Sequence, residues 1–310
     1  MNRGRTRLLV TGASGLLGLN LALQASDGDY TVTGVVHEHP LAGAPFEVLR
    51  ADLSQPGEIA RIFVEYQPQV VIHCAAIANL EAAESDPALA QQVNADLPGQ
   101  LAQETARRGI RLVHISTDAV FDGVSGGYSE QDAPRPLSTY ARTKLAGERA
   151  VAEANPAAII ARVNFYGWSL SGKRSLAEFF FNSLSTHQPV KGFLDVYFSP
   201  LLVNHLAEIL LQMADKKLSG IYHVASPESL SKYAFGVALA RQFGLDEALI
   251  SPNSVDESGL AARRSHNLTL NTAKLSHDLG IALPSQAEGL RHFYELYQQG
   301  YPTRLRAYGG

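Results

Sequence analysis

The segment Thr11-Gly12-Ala13-Ser14-Gly15-Leu16-Leu17-Gly18 follows the apolar run Leu8-Leu9-Val10 and leads into a helix-compatible stretch from Leu16 to Gln24. A loop that passes close to a pyrophosphate has no room for side chains. Gly12 and Gly15 therefore let backbone N–H groups face phosphates, and Gly18 lets helix and strand pack closely. The spacing Gly-x-x-Gly-x-x-Gly is one residue wider than the common dinucleotide fingerprint. Between a strand and a helix it predicts a dinucleotide-binding turn, with Ser14, Leu16 and Leu17 also at the cofactor. A structural turn without ligand is the alternative.

The strand-helix alternation then repeats. Tyr30 to Val36 reads as a strand, Ser54 to Gln67 as a helix, Val70 to Ile72 as a buried strand and Asp86 to Arg108 as a long helix. Arg111 to Ile115 is another strand, Tyr140 to Glu153 a helix, and Ala158 to Val163 an apolar strand. Continuous apolar strands between helices predict an α/β fold with a doubly wound parallel sheet of the Rossmann type. Beyond Asn164 the alternation weakens, except that Asn204 to Ala225 looks like one more helix and strand returning to the sheet. The expected division is residues 1–165 plus about 190–225 as a dinucleotide-binding part, and 166–189 plus 226–310 as a smaller, discontinuous substrate-binding part.

A formal net charge of −4 gives no clustered positive charge for nucleic acid or a polybasic membrane surface, so the expected partner is a small molecule. No apolar run is long enough to span a bilayer, and the single cysteine, Cys74, cannot form an internal disulfide. The basic start Met1 to Arg5 lacks the apolar segment of a secretory signal, so a cytoplasmic location is expected. The ten histidines show no zinc-ligand spacing, and no metal is expected.

Tyr140 and Lys144 stand four apart, so on a helix both side chains project on one face. A phenol near pKa 10 is a poor base at neutral pH, but an adjacent ammonium lowers it. Lys144 can also reach the nicotinamide ribose. Ser116-Thr117-Asp118 ends the preceding strand at the carboxyl edge of the sheet, where ligands bind in such folds. There Thr117 can orient a substrate carbonyl beside Tyr140 for hydride transfer. At the end of the second strand, Val36-His37 carries no carboxylate until Glu38, which leaves room for a ribose 2′-phosphate contacted by His37 and favours NADPH over NADH. A solvated loop histidine is the competing reading. Asp52 is placed to accept from an adenine amino group, or to act as a simple turn acid.

With Thr11-Gly12-x-x-Gly15-x-x-Gly18, Asp52-Leu53, His73-Cys74-Ala75-Ala76, Asn94, Ser116-Thr117 and Tyr140-x-x-x-Lys144 in hand, the chain resembles the extended short-chain dehydrogenase/reductase family. Within it, the chain is most similar to the dTDP-4-dehydrorhamnose reductases, on segments 116–123, 136–140, 144–148 and 262–270. The resemblance implies that Thr117, Tyr140 and Lys144 are catalytic, with NADPH or NADH reducing the 4-keto carbon of a nucleotide-linked deoxyhexose. It implies cofactor contacts at Leu53, Cys74, Ala75, Ala76, Asn94, Ser116, Val163 and Asn164, and substrate contacts at Asp118, Asn164, Phe165 and Arg263. The family usually has tyrosine where this chain has Ala119, and commonly proline at Ser265, so the sugar need not be the rhamnose precursor. Relatives pair the helices at 87–108 and 140–153 across a two-fold axis, which leaves a homodimer open. Two rival readings stand beside the reductase. One is an NAD-retaining epimerase; a dehydratase would want Asp-Glu where Asp118-Ala119 stands. The other is a regulatory subunit, because the β subunit of methionine adenosyltransferase resembles the chain at the same motifs.

Overall fold

The computed structural model describes residues 5–256 and 265–309; Arg263, expected at the substrate, lies outside the described residues. The chain opens with β1 (Thr6–Thr11), α1 (Leu16–Asp27), β2 (Tyr30–Val36), β3 (Glu47–Arg50), α2 (Glu58–Tyr66) and β4 (Val70–His73). There follow α3 (Leu80–Ser85), α4 (Pro87–Gln91), a π-helical turn over Gln92–Asp96, α5 (Leu97–Arg108), β5 (Arg111–Thr117), α6 (Thr139–Ala154) and β6 (Ile159–Val163). The rest is β7 (Phe165–Tyr166), α7 (Leu176–Ser185), β8 (Val190–Phe193), β9 (Tyr197–Phe198), β10 (Leu201–Leu202), α8 (Val203–Asp215) and β11 (Gly220–Val224), then β12 (Leu230–Ser231), α9 (Lys232–Phe243), β13 (Ile250–Asn253), α10 (Ala273–Leu279), α11 (Gln286–Gln298) and α12 (Tyr301–Arg306).

The central sheet is parallel, in the order β11-β6-β5-β4-β1-β2-β3. The chain winds outward from β1 to β3, then crosses back to place β4 on the other side of β1. That reversal is the switch point at which such sheets open a ligand crevice. One face carries α1 and α8, joined in a core by Leu8, Val10, Leu21, Val113, Leu206 and Leu210. The other carries α2, α5 and α6 over Leu9, Val71, Leu112 and Ile160. Both faces being covered explains why the strands read as continuous apolar runs.

Two helices differ from expectation. The helix expected from Ser54 begins only at Glu58, because Gly57 adopts a left-handed φ of +81°. The helix expected over 86–108 begins where expected, with Asp86 capping α4 by accepting from the Leu89 N–H, but it is not α throughout, because the π turn over Gln92–Asp96 joins α4 to α5. The smaller part has its own core of Trp168, Phe180, Phe235 and Phe293, with Trp168 stacked on Phe293 at 4.1 Å. In it β8 pairs with β13 and β9 with β12, while β10 pairs with β7 in a further two-stranded sheet. Within the C-terminal stretch assigned to substrate binding, Leu275 and Leu279 of α10 instead pack into the core of the main sheet.

Candidate active site

The glycine loop sits at the switch point, and its glycines are required by space. Gly12 has φ +66°, and a Cβ there would stand 2.7 Å from the Ala75 nitrogen; at Gly18 it would stand 2.1 Å from the Gly12 carbonyl oxygen. The N-cap of α1 is Gly15, with no side-chain cap, so the first N–H groups of that helix face the loop without a side-chain acceptor. This bare cradle fits a pyrophosphate. Ser14, Gly15 and Leu16 are partly exposed along it, whereas Leu17 is buried and offers only its backbone. The loop is braced from beneath, where Thr11 Oγ1 and His73 Nδ1 are 2.6 Å apart and the Ala75 N–H donates to Thr11.

The adenine side is less committed. His37 and Glu38 are exposed beyond the end of β2. The Asp52 carboxylate accepts from Ser54 N, Ser54 Oγ and Gln55 Nε2 at 3.0, 2.7 and 2.8 Å, so it is built into a turn here, and Leu53 is a core residue. After β4, Cys74 and Ala75 are partly buried and Ala76 is exposed. Burial pushes the Cys74 thiol up to about 12, so it stays protonated. Asn94 serves this loop from the π turn. It accepts from Ile77 N and donates to Ile77 O and to Thr143 Oγ1 on α6, at 2.9, 3.1 and 3.1 Å. Its amide is occupied in tying the loop to α6 from within the π turn.

Helix α6 is anchored at its start: the Ser138 hydroxyl accepts from Ala141 N, and Glu84 accepts from Thr139 N and Thr139 Oγ1, both at 2.7 Å. The four-residue repeat Tyr140, Lys144, Glu148 then descends one helix face over the sheet edge. Lys144 Nζ donates to the Ile115 carbonyl at 2.6 Å, and burial lowers its pKa to about 8 against the pull of Glu148. Burial raises Tyr140 to about 12, opposed by its hydrogen bond with Thr117. Thr117 Oγ1 donates to Asp118 Oδ1 at 3.2 Å and accepts from Ala119 N at 3.1 Å. Asn164 Nδ2 donates to Asp118 Oδ2 at 2.5 Å, and burial lifts the Asp118 carboxyl to about 6. Thus Thr117, Asp118, Tyr140, Lys144 and Asn164 meet at one sheet edge. Val163 is buried in the sheet core, and Phe165 packs partly buried against it.

Ser116 turns away from this edge. Its hydroxyl donates to Glu148 Oε1 at 2.5 Å, and Glu148 receives the Arg162 guanidinium through Nε and Nη2, at 3.0 and 2.8 Å to its two oxygens. Neither Glu148 nor Arg162 is among the residues expected at the site from sequence. Glu148 continues the spacing of Tyr140 and Lys144, and a charge within the apolar strand Ile159-Ile160-Ala161-Arg162-Val163 needs a buried partner. Beside Lys144, His73 and His114 are buried and stacked at 5.6 Å; burial depresses both, His73 to about 3, so they stay neutral near the lysine.

The substrate side is walled by the loop after β5. Asn267 N donates to Gly123 O, and the Tyr128 and Asn271 N–H groups donate to Thr269 O and Tyr128 O. A Cβ at Gly123 would lie 2.3 Å from Ser265 Cβ, so the 265–271 segment fits closely over this loop. Ala119 is partly exposed beside it. Among the described residues, Asp195, Asp256 and His266 place three ligand atoms within 4.8 Å of one another, with the Asp195 carboxylate already accepting from Ser254 and Val255.

A family model described as the RmlD substrate binding domain matches residues 6–299. The chain is 32% identical over 286 residues to a probable low-salt glycan biosynthesis reductase, Agl14, of Haloferax volcanii, covering 91% of this chain and 95% of that protein. It is equally 32% identical over 289 residues to the methionine adenosyltransferase 2 subunit beta of Pongo abelii, covering 91% and 84%. Its fold matches that of a dTDP-4-dehydrorhamnose reductase from Bacillus anthracis solved in complex with NADP, with a TM-score of 0.84, 26% identity, and 94% and 99% of the two chains covered.

Proposed function

The chain belongs to the RmlD substrate binding domain family, a nicotinamide-dependent oxidoreductase family, and from that premise we propose that it reduces the 4-keto group of a nucleotide-linked deoxysugar. The observation that carries this reading is the convergence of Thr117, Tyr140 and Lys144 beside the glycine cradle. The nicotinamide supplies the hydride when bound. Tyr140, neutral at rest, gives a proton to the ketone oxygen, Thr117 orients that oxygen, and Lys144 holds positive charge beneath both. Asp118, Asn164, Phe165 and Arg263 are proposed to hold the sugar. His37, exposed with no carboxylate at the strand end, supports NADPH over NADH, as does the NADP bound to the Bacillus anthracis relative. A panel of nucleotide 4-ketosugars assayed with both cofactors is the test. Oxidation of NADPH with at least one sugar, at a higher kcat/KM than with NADH, is expected; NAD that co-purifies stoichiometrically and survives dialysis would indicate an epimerase instead.

A second reading follows from the 32% identity to a methionine adenosyltransferase subunit. It predicts co-purification with a methionine adenosyltransferase and no ketone-dependent oxidation of either cofactor.

Two further outcomes follow. Gly18→Ala forces its new methyl group against the Gly12 carbonyl, and strain of this kind is worth about 1–3 kcal/mol, so the Kd for NADPH rises roughly 5- to 150-fold in a binding titration. A wild-type Kd would contradict the cradle. Lys144 is cationic below its pKa of about 8, so kcat/KM holds at lower pH and falls as pH rises through that value. A profile flat across this region would deny Lys144 its charged role.

A further inference from the structure

We infer that His223, on the edge strand β11, is a positioning residue for the sugar substrate: it fixes the Asn271 carbonyl and with it the 265–271 segment that walls the site. This role rests on the ketone-reductase reading above. The His223 ring is fully buried, and its two nitrogens face groups of fixed character. Nδ1 lies 3.2 Å from the Asn271 carbonyl, which can only accept, and Nε2 lies 3.5 Å from Arg162 Nη1, which can only donate. Both demands are met by one form, the neutral ring with its proton on Nδ1. Burial and the facing guanidinium keep a second proton off the ring, against the pull of Glu130, whose carboxylate accepts from the His223 backbone N–H at 3.1 Å.

Asn271 is the far end of a chain of contacts that begins at helix α6. Glu148 on that helix holds Arg162 through Nε and Nη2, and the remaining arm of the guanidinium, Nη1, reaches His223. Asn271 gives its own N–H to the Tyr128 carbonyl, while Tyr128 gives its N–H to Thr269 O. Tyr128 stacks on Phe121 at 4.2 Å, and Phe121 meets the His223 ring edge-on at 5.6 Å and the Arg162 guanidinium at 5.1 Å. His223 thus bears on both layers of the wall, with its ring against the loop after β5 and its Nδ1 against the 265–271 segment. The glycine cradle is out of its reach, because β11 stands four places from β1 in the sheet, about 19 Å by strand spacing.

Two substitutions separate the two ring nitrogens. In His223→Asn the amide nitrogen takes the place of Nδ1 and keeps the donor to Asn271. In His223→Gln the amide takes the place of Nε2, facing Arg162, and that donor is lost. With NADPH and a ketosugar accepted by the wild type, His223→Gln should raise the sugar KM roughly 5- to 50-fold, with kcat within about 3-fold and the Kd for NADPH within about 2-fold. His223→Asn should bring KM back to within about 2-fold of wild type. A space-filling role would favour the larger glutamine, so equal KM values in the two variants, or a sugar KM and an NADPH Kd that rise together, would overturn the positioning role. Should the variants fail to fold, the wild type carries its own test: proton–nitrogen NMR should find the His223 proton on Nδ1, and a proton on Nε2 refutes the role. A wild-type protein that oxidises NADPH with none of the ketosugars removes the reductase reading and the role of His223 together, whereas an active wild type with a normal His223→Gln removes the role of His223 alone.

Discussion

Replacing Tyr140 with phenylalanine lowers kcat for ketone reduction by roughly 10²- to 10⁴-fold, the range in which a positioned proton donor contributes. The substitution keeps the ring and deletes one hydroxyl. That hydroxyl is held neutral by burial at about 12, so it stands ready as a donor beside Thr117. Cofactor affinity should change little, since the glycine cradle and Lys144 are untouched, and a titration with NADPH separates this loss from a binding defect. Full activity in the variant would remove Tyr140 as the donor.

Glu148→Ala is expected to destabilise the protein by about 3–5 kcal/mol, because it strands the Arg162 guanidinium in a place 2% exposed. The pair has Nη2 to Oε2 at 2.8 Å, and the carboxylate also accepts from Ser116. Losing it leaves a buried charge and an unpaired hydroxyl together under α6. Thermal unfolding should show the midpoint falling by roughly 10 °C. The double change Glu148→Leu with Arg162→Met, which removes both charges while keeping volume, should recover most of that loss. A single variant as stable as wild type would show that the pair is not the support of α6.

What the residue pattern revealed, and what it hid, follow from the range of the interactions. The sheet was legible because strands buried on both faces leave unbroken apolar runs, and the glycine loop because its constraint is local. The return of Asn204 to Ala225 to the sheet was legible for the same reason. The π turn over Gln92–Asp96 was hidden, since the chain is helix-compatible throughout and Asn94 within that turn is held to Ile77, 17 residues away. At the site, Thr117, Tyr140 and Lys144 were readable from spacing. Ser116 and Asn94 were expected at the cofactor, yet their side chains are engaged by Glu148 on one hand and by Ile77 and Thr143 on the other, partners 32, 17 and 49 residues away. Asp52 shows the local form of the same ambiguity, because an acid in a turn satisfies Ser54 and Gln55 as readily as an adenine.

The most direct test follows a single atom. Wild-type protein is incubated with NADPH carrying deuterium on the transferable face of nicotinamide carbon 4 and with the best ketosugar of the panel, and the sugar product is examined by NMR. Deuterium at sugar carbon 4, in one configuration and in amount equal to the NADP⁺ formed, is the expected result. NADPH that binds but transfers no deuterium to any sugar would contradict a hydride-transferring role for this site.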